Sequence, residues 1–158
     1  SDVGENQIWS AKNHIVREGR FLTTGGMGTM GYSVPAAIGA KMADDSRATV
    51  AICGDGAFQM SFMELATAVQ FGVDIKVVVM TNNRLGMVRE LQTNGYHDRQ
   101  TAVFLDGSPD FIKLAEAYGI PAMRVYDDDT MEKGVEMLAE HKGICLVEVV
   151  VDKDMPTL

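Results

Sequence analysis

The chain has 158 residues, 46% apolar and 23% charged, which is enough for one domain with a sizeable buried core. Its net charge of −8 and pI near 4.8 argue against a nucleic-acid-binding surface. No apolar run approaches the length of a membrane span, and no basic-then-apolar signal segment opens the chain, so a cytoplasmic protein is expected. Cys53 and Cys145 both fall in apolar runs and read as small core residues in a reducing compartment, not as a disulfide or a metal pair. The first residue is Ser1 rather than Met, which fits a fragment or a processed product.

Ser1 to Gly4 reads as the tail of a strand, and the polar residues after it lead into a helix over Gln7 to Glu18. Phe21 to Thr24 is a short strand that runs into a glycine-rich turn. There Gly26, Gly28 and Gly31 formally match a dinucleotide fingerprint, with Asp55 available as the acidic residue at the end of the next strand. Tyr32-Ser33-Val34-Pro35 intervenes, however, so the glycines precede the helix by several residues, and nicotinamide binding ranks last among the readings. Pro35 to Ala43 is a small-residue helix suited to close packing on a sheet. Ala48 to Cys53 is a continuous apolar run, short enough for a strand buried on both faces. After Gly54-Asp55-Gly56, Ser61 and Glu64 have the spacing of a capping box. They start a helix through Gln70, which Gly72 stops. The capping role accounts for Glu64 without any acid-base function. Ile75 to Thr81 is a second buried strand, parallel to the first because a crossover joins them.

Ser108-Pro109 supplies a cap and first-turn pair for a helix over Asp110 to Tyr118, ended by Gly119. Ala122 to Tyr126 is a strand. Asp127, Asp128 and Asp129 could be taken for a metal cluster, but three carboxylates before a helix reaching about His141 match the positive end of its dipole. Ile144 to Val151 is the last strand, and Lys153 to Leu158 trails off. The alternation gives an α/β fold: a single three-layer domain over residues 1–158 with a doubly wound, mainly parallel sheet.

The two central strand tips carry the chemistry. Asp55 lies just past the first and Asn82 just past the second, at the sheet edge where open α/β folds bind ligands. One carboxylate and one amide oxygen suit Mg²⁺, which completes its shell with phosphate and water. Gly54 and Gly56 let backbone approach a phosphate, with the N–H groups of Ala57 and Phe58 pointing towards it. Asn83 shapes the turn that follows.

Gly54-Asp55-Gly56 followed by Asn82-Asn83 resembles the signature of thiamine-diphosphate-dependent enzymes. The segments Thr24 to Tyr32, Pro35 to Ala40, Glu64 to Ala68 and Leu85 to Arg89 extend the resemblance to the C-terminal, diphosphate-binding domain of acetolactate synthases and close relatives. The resemblance implies a cofactor site of Gly4, Glu5, Asn6, Gly28, Met30, Gly54, Gly56, Ala57, Phe58, Asn82, Arg84, Gly86 and Met87. Asp55, Asn82 and the Arg84 carbonyl would hold Mg²⁺. Gly28 would meet the aminopyrimidine amine through its carbonyl, and Met30 would wedge between the two rings, unless it simply fills a gap in the core. Glu5 and Asn6 depart from the family's usual Gln and His, and Glu5 would bring negative charge towards a diphosphate unless it points away.

Leu85 to Gln100 corresponds to a segment that closes over the cofactor. Leu91 stands where acetolactate synthases that favour a larger 2-ketoacid acceptor commonly carry Trp, while His97 and Arg99 either touch substrate or lie in a solvated loop. The implied parent enzyme decarboxylates a 2-ketoacid such as pyruvate and passes the two-carbon unit to another ketoacid, in branched-chain amino acid biosynthesis. It would be a homodimer or higher oligomer, with FAD possible only in the full-length parent. The activating Glu of such enzymes lies in a separate N-terminal domain, so this chain carries no catalytic residue of its own and is expected to be inactive alone. A pyruvate oxidase, a ketoacid decarboxylase and a binding module that has lost its cofactor are the other readings.

Overall fold

A computed structural model describes residues 1–14 and 17–157. Four strands, β1 (Val50–Gly54), β2 (Lys76–Thr81), β3 (Ala122–Val125) and β4 (Cys145–Val150), form one sheet in the order β1-β2-β4-β3, and every pairing is parallel. The expected βαβ unit is present, with Gly54 opposite Met80 in register, so the carboxyl ends of β1 and β2 lie side by side. Helices α1 (Glu5–Asn13), α2 (Ser33–Ala43), α3 (Asp55–Phe58), α4 (Leu65–Phe71), α5 (Gly86–Gly95), α6 (Phe111–Ala117) and α7 (Asp128–Glu140) connect and cover the strands. None of the described helices is long and apolar enough to cross a membrane.

Val77, Val79 and Leu146 on the central strands pack with Val34, Phe58, Leu65 and Phe111 from the helices, all essentially inaccessible to water. Phe58 meets Phe111 edge-on, ring centres 5.4 Å apart. Both cysteines are free and buried, as expected.

Several local expectations are corrected. α1 ends at Asn13, where Asn13 Nδ2 turns back to the Trp9 carbonyl, 2.8 Å, and His14 is extended; Arg17 and Glu18 are not helical, and Ile15 and Val16 lie outside the described residues. Phe21 to Thr24 forms no strand. Its link to the neighbouring backbone is the Leu22 carbonyl accepting from the Ser1 amine at 2.7 Å, too little for a ladder. α2 begins at Ser33, so Gly31 lies closer to the helix than the sequence implies. β1 is an edge strand with Val50 47% exposed; it is not buried on both faces.

The capping box does not form. A one-turn α3 and a 3₁₀ turn over Phe62–Glu64 come first, Ser61 Oγ finds no partner, and Glu64 instead accepts from Thr67 Oγ1 at 3.1 Å. Gly72 does end α4, at φ +60°. The cap of α6 is Asp110, whose carboxylate accepts from the Ile112 and Lys113 N–H groups; Ser108 Oγ bonds to the Leu105 carbonyl instead. Asp127 caps α7 in a reciprocal pair with Thr130, the structural role expected of the aspartate run. Residues 153–157 do not trail off, and Leu158 lies outside the described residues. Thr157 is buried, its N–H donates to Glu90 Oε1 at 3.2 Å, and its carbonyl accepts from Lys12 Nζ at 2.5 Å, so the tail bridges α5 and α1.

Candidate functional site

The paired tips of β1 and β2 open into a cavity of about 390 Å³, walled by the N-terminal turn, the glycine-rich turn and the start of α5. Twelve of the thirteen cofactor residues expected from the sequence line it, and so does Asp55. Phe58 does not: its ring is fully buried in the core against Phe111. Trp9, Met27 and Leu85 also line the cavity and were not among the expected site residues, although Met27 and Leu85 lie in segments that carry the resemblance.

Asp55 is 1% exposed, at the junction of β1 and α3. Its Oδ1 accepts from the Gly56 N–H at 2.7 Å, and Oδ2 accepts from the N–H groups of Asn82 at 3.1 Å and Asn83 at 2.6 Å. This aspartate therefore clamps the loop after β2 onto the loop after β1. Burial pushes its carboxyl above the ordinary aspartate range, the three N–H donors pull it back, and the nearby Glu148 adds a further upward push. A carboxylate has about four lone-pair sites, so three bonds leave one for a cation. The Gly56 N–H is engaged by Asp55 in this structure.

Asn82 follows at the tip of β2. Its Oδ1 accepts from the Arg84 N–H at 3.0 Å and its Nδ2 donates to Glu5 Oε2 at 2.9 Å, which assigns the amide unambiguously: oxygen on one side, nitrogen on the other. Asn83 takes φ +55°, so it does shape the turn. The Arg84 guanidinium bonds to the Asn83 carbonyl and lies 4.5 Å above the Phe104 ring, which draws its charge to the rim of the site.

Glu5 is the departure that the sequence left open. It is 5% exposed and does not swing out to solvent; one oxygen takes the Asn82 amide and the other lies 3.4 Å from Arg89 Nη2. Burial pushes its carboxyl up, and Arg89 pulls it back down. Asn6 spends its amide hydrogens on the Asp2 carbonyl at 2.9 Å and on Ser1 Oγ, so it is no free donor for a phosphate. Its Oδ1 instead crowds Gly54, where an added Cβ would come within 3.3 Å.

Gly56 also has no room for a side chain. A Cβ there would meet Leu85 at 2.7 Å, Leu105 at 3.1 Å and Met30 at 3.3 Å. Met30 lines the cavity and packs against the core. The glycine turn is held by Asp2, which the sequence did not single out: its carboxylate accepts from the N–H groups of Gly31 and Ser33 and from Ser33 Oγ, at 2.9–3.1 Å. His97 and Arg99 are exposed and line no part of the cavity, the solvated alternative. Leu91 is exposed on α5. Among the described residues no three His, Cys, Asp or Glu side chains gather around a point, so a cation here would need amide and carbonyl oxygens beside Asp55. Asn82 and Arg84 supply those donor types, a set that suits a hard cation.

The sequence profile of the family described as "Thiamine pyrophosphate enzyme, C-terminal TPP binding domain" matches residues 2–149. Three curated relatives are an "Acetolactate synthase" of Arthrospira platensis, 41% identical over 98% of this chain, an "Acetolactate synthase catalytic subunit, mitochondrial" of Aspergillus candidus, 43% over 99%, and an "Acetolactate synthase large subunit" of Lactococcus lactis subsp. lactis (strain IL1403), 40% over 97%. The chain spans 27%, 22% and 27% of their respective lengths. With the profile covering nearly the whole chain and the strand-tip cradle in place, the chain belongs to the family of C-terminal thiamine-pyrophosphate-binding domains.

Proposed function

We propose that this chain holds the diphosphate end of thiamine diphosphate through Mg²⁺, as part of an acetolactate synthase-like enzyme acting on 2-ketoacids. The observation that carries the reading is the clamp at the strand tips. A buried carboxylate with one free acceptor site and an amide oxygen with one free lone pair stand on adjacent parallel strands and line the same cavity. Asp55, Asn82 Oδ1 and the Arg84 carbonyl are the donor set for the cation. Gly54 and Gly56 leave room for the phosphates, and Gly28 and Met30 face the rest of the cofactor. When bound, the cofactor supplies an electron sink for decarboxylation. The residues of this chain bind it, orient it and keep one side of it dry.

The name acetolactate synthase, carried by the relatives, supports the proposed substrate class, pyruvate with a second ketoacid as acceptor. A homo-oligomer and a cytoplasmic location belong to the same proposal. Titration calorimetry tests the binding half. Thiamine diphosphate is expected to give heat only when Mg²⁺ is present, and Asp55→Ala is expected to weaken binding by more than about 100-fold, beyond what loss of a supporting residue costs. Metal-independent binding, or an Asp55→Ala variant that binds normally, overturns the site.

A further inference from the structure

We propose that Glu5 is a positioning residue for the metal ligand: its carboxylate fixes the side-chain amide of Asn82 so that Oδ1 is the atom offered to the cation. The inference rests on the metal-diphosphate reading and assigns the one acidic residue in the cavity that this reading does not use. Asn82 is held at both ends, Oδ1 by the Arg84 N–H at 3.0 Å and Nδ2 by Glu5 Oε2 at 2.9 Å. With the Arg84 bond alone the amide keeps freedom to swing about its own axis. With both bonds it has one orientation, in which the nitrogen is spent on Glu5 and the oxygen keeps one lone pair for a metal.

A carboxylate is required at position 5, and an amide would not serve equally. Two donors converge there, the Asn82 NH₂ on Oε2 and the Arg89 guanidinium 3.4 Å from Oε1. A glutamine would have to turn its own NH₂ towards one of them. Arg89 also answers the charge problem: at 7% exposure it is buried beside Glu5, so the anion that enters the cavity wall is paired. The approach is tight. A Cβ on Gly86, the first residue of α5, would fall 1.8 Å from Glu5 Oε2. Glu5 thus ties the N-terminal turn, the tip of β2 and α5 to one point, in contact with a metal ligand.

The test uses Mn²⁺ as the probe, with thiamine diphosphate present and free Mn²⁺ read by electron paramagnetic resonance, in the full-length protein. Two double variants, Glu5→Ala with Arg89→Met and Glu5→Gln with Arg89→Met, differ only in whether position 5 can accept a hydrogen bond from Asn82. The glutamine variant is expected to bind Mn²⁺ within about threefold of wild type, and the alanine variant about 10–100-fold more weakly. Equal affinities in the two doubles overturn the positioning role, and so does wild-type affinity in a Glu5→Ala single variant. A wild-type protein that shows no cofactor-dependent Mn²⁺ binding overturns the metal site itself and this inference with it. If neither double folds, the wild type decides by NMR. Slowly exchanging Asn82 side-chain NH₂ protons support the bond to Glu5, and solvent-like exchange overturns it.

Discussion

At the scale of single residues, the site depends on where side chains are missing as much as on where they stand. Gly86 has no room for a methyl group, because the Glu5 carboxylate already occupies the space its Cβ would take. Gly107 is in the opposite position: an added Cβ there meets nothing within 4 Å and its φ is unexceptional. Gly86→Ala is therefore expected to cost about 1–3 kcal/mol of stability by overpacking, and to weaken metal-dependent cofactor binding because either Glu5 or the start of α5 must move. Gly107→Ala should change both by little. Chemical denaturation and calorimetry on the pair check this. Two similar losses would mean that the Glu5 contact is not what makes Gly86 necessary.

Among the elements, one substitution carries opposite signs on two helices. Gly39 lies in the interior of α2, exposed, with open space where a Cβ would go. Gly39→Ala is expected to stabilise the protein by roughly 0.5–1 kcal/mol through helix propensity. Gly134 lies inside α7 but is buried against the sheet, and a Cβ there would come within 2.9 Å of Val125 and 3.3 Å of Val147. Gly134→Ala should destabilise by about 1–3 kcal/mol; thermal unfolding of the two variants gives the signs directly.

The same contrast shows what the sequence could and could not reveal. The apolar runs of β2 and β4 and the stop at Gly72 are local signals, and they were legible because burial and a positive φ each leave a mark at one place in the chain. The capping box failed because Ser61 and Glu64 have the spacing but not the helix: the short α3 directly after β1 displaces the start of α4 to Leu65. Asp55 and Asn82 were legible as strand-tip residues, since parallel pairing follows from the crossover. The roles of Asp2, Glu5 and Arg89 were not. Each acts through partners far along the chain, with Arg89 and Glu5 separated by 84 positions and Asp2 and Ser33 by 31, and no periodicity encodes such a pair.

For the whole molecule, the decisive fact is that the strand-tip cavity, with every donor proposed above for the metal and the diphosphate, occurs in a chain spanning about a quarter of its relatives' length. The walls of the cavity come from the N-terminal turn, the glycine turn, the two strand tips and α5, and Met27 stands on one margin 96% exposed. Nothing among the described residues that line the cavity offers a carboxylate to the aminopyrimidine ring, since Asp55 and Glu5 are both committed at the diphosphate end. Binding and catalysis should therefore separate. The 158-residue chain, supplied with thiamine diphosphate, Mg²⁺ and pyruvate, is expected to form no acetolactate above background, while retaining metal-dependent cofactor binding weaker than that of the full-length enzyme. The reason is that binding energy from the diphosphate anchors the cofactor, whereas activation needs a group at the far end of it that this chain does not provide. Steady-state acetolactate formation by the pure chain would show that one of its own residues activates the cofactor. The candidates would then be the two carboxylates that line the cavity, Asp55 and Glu5.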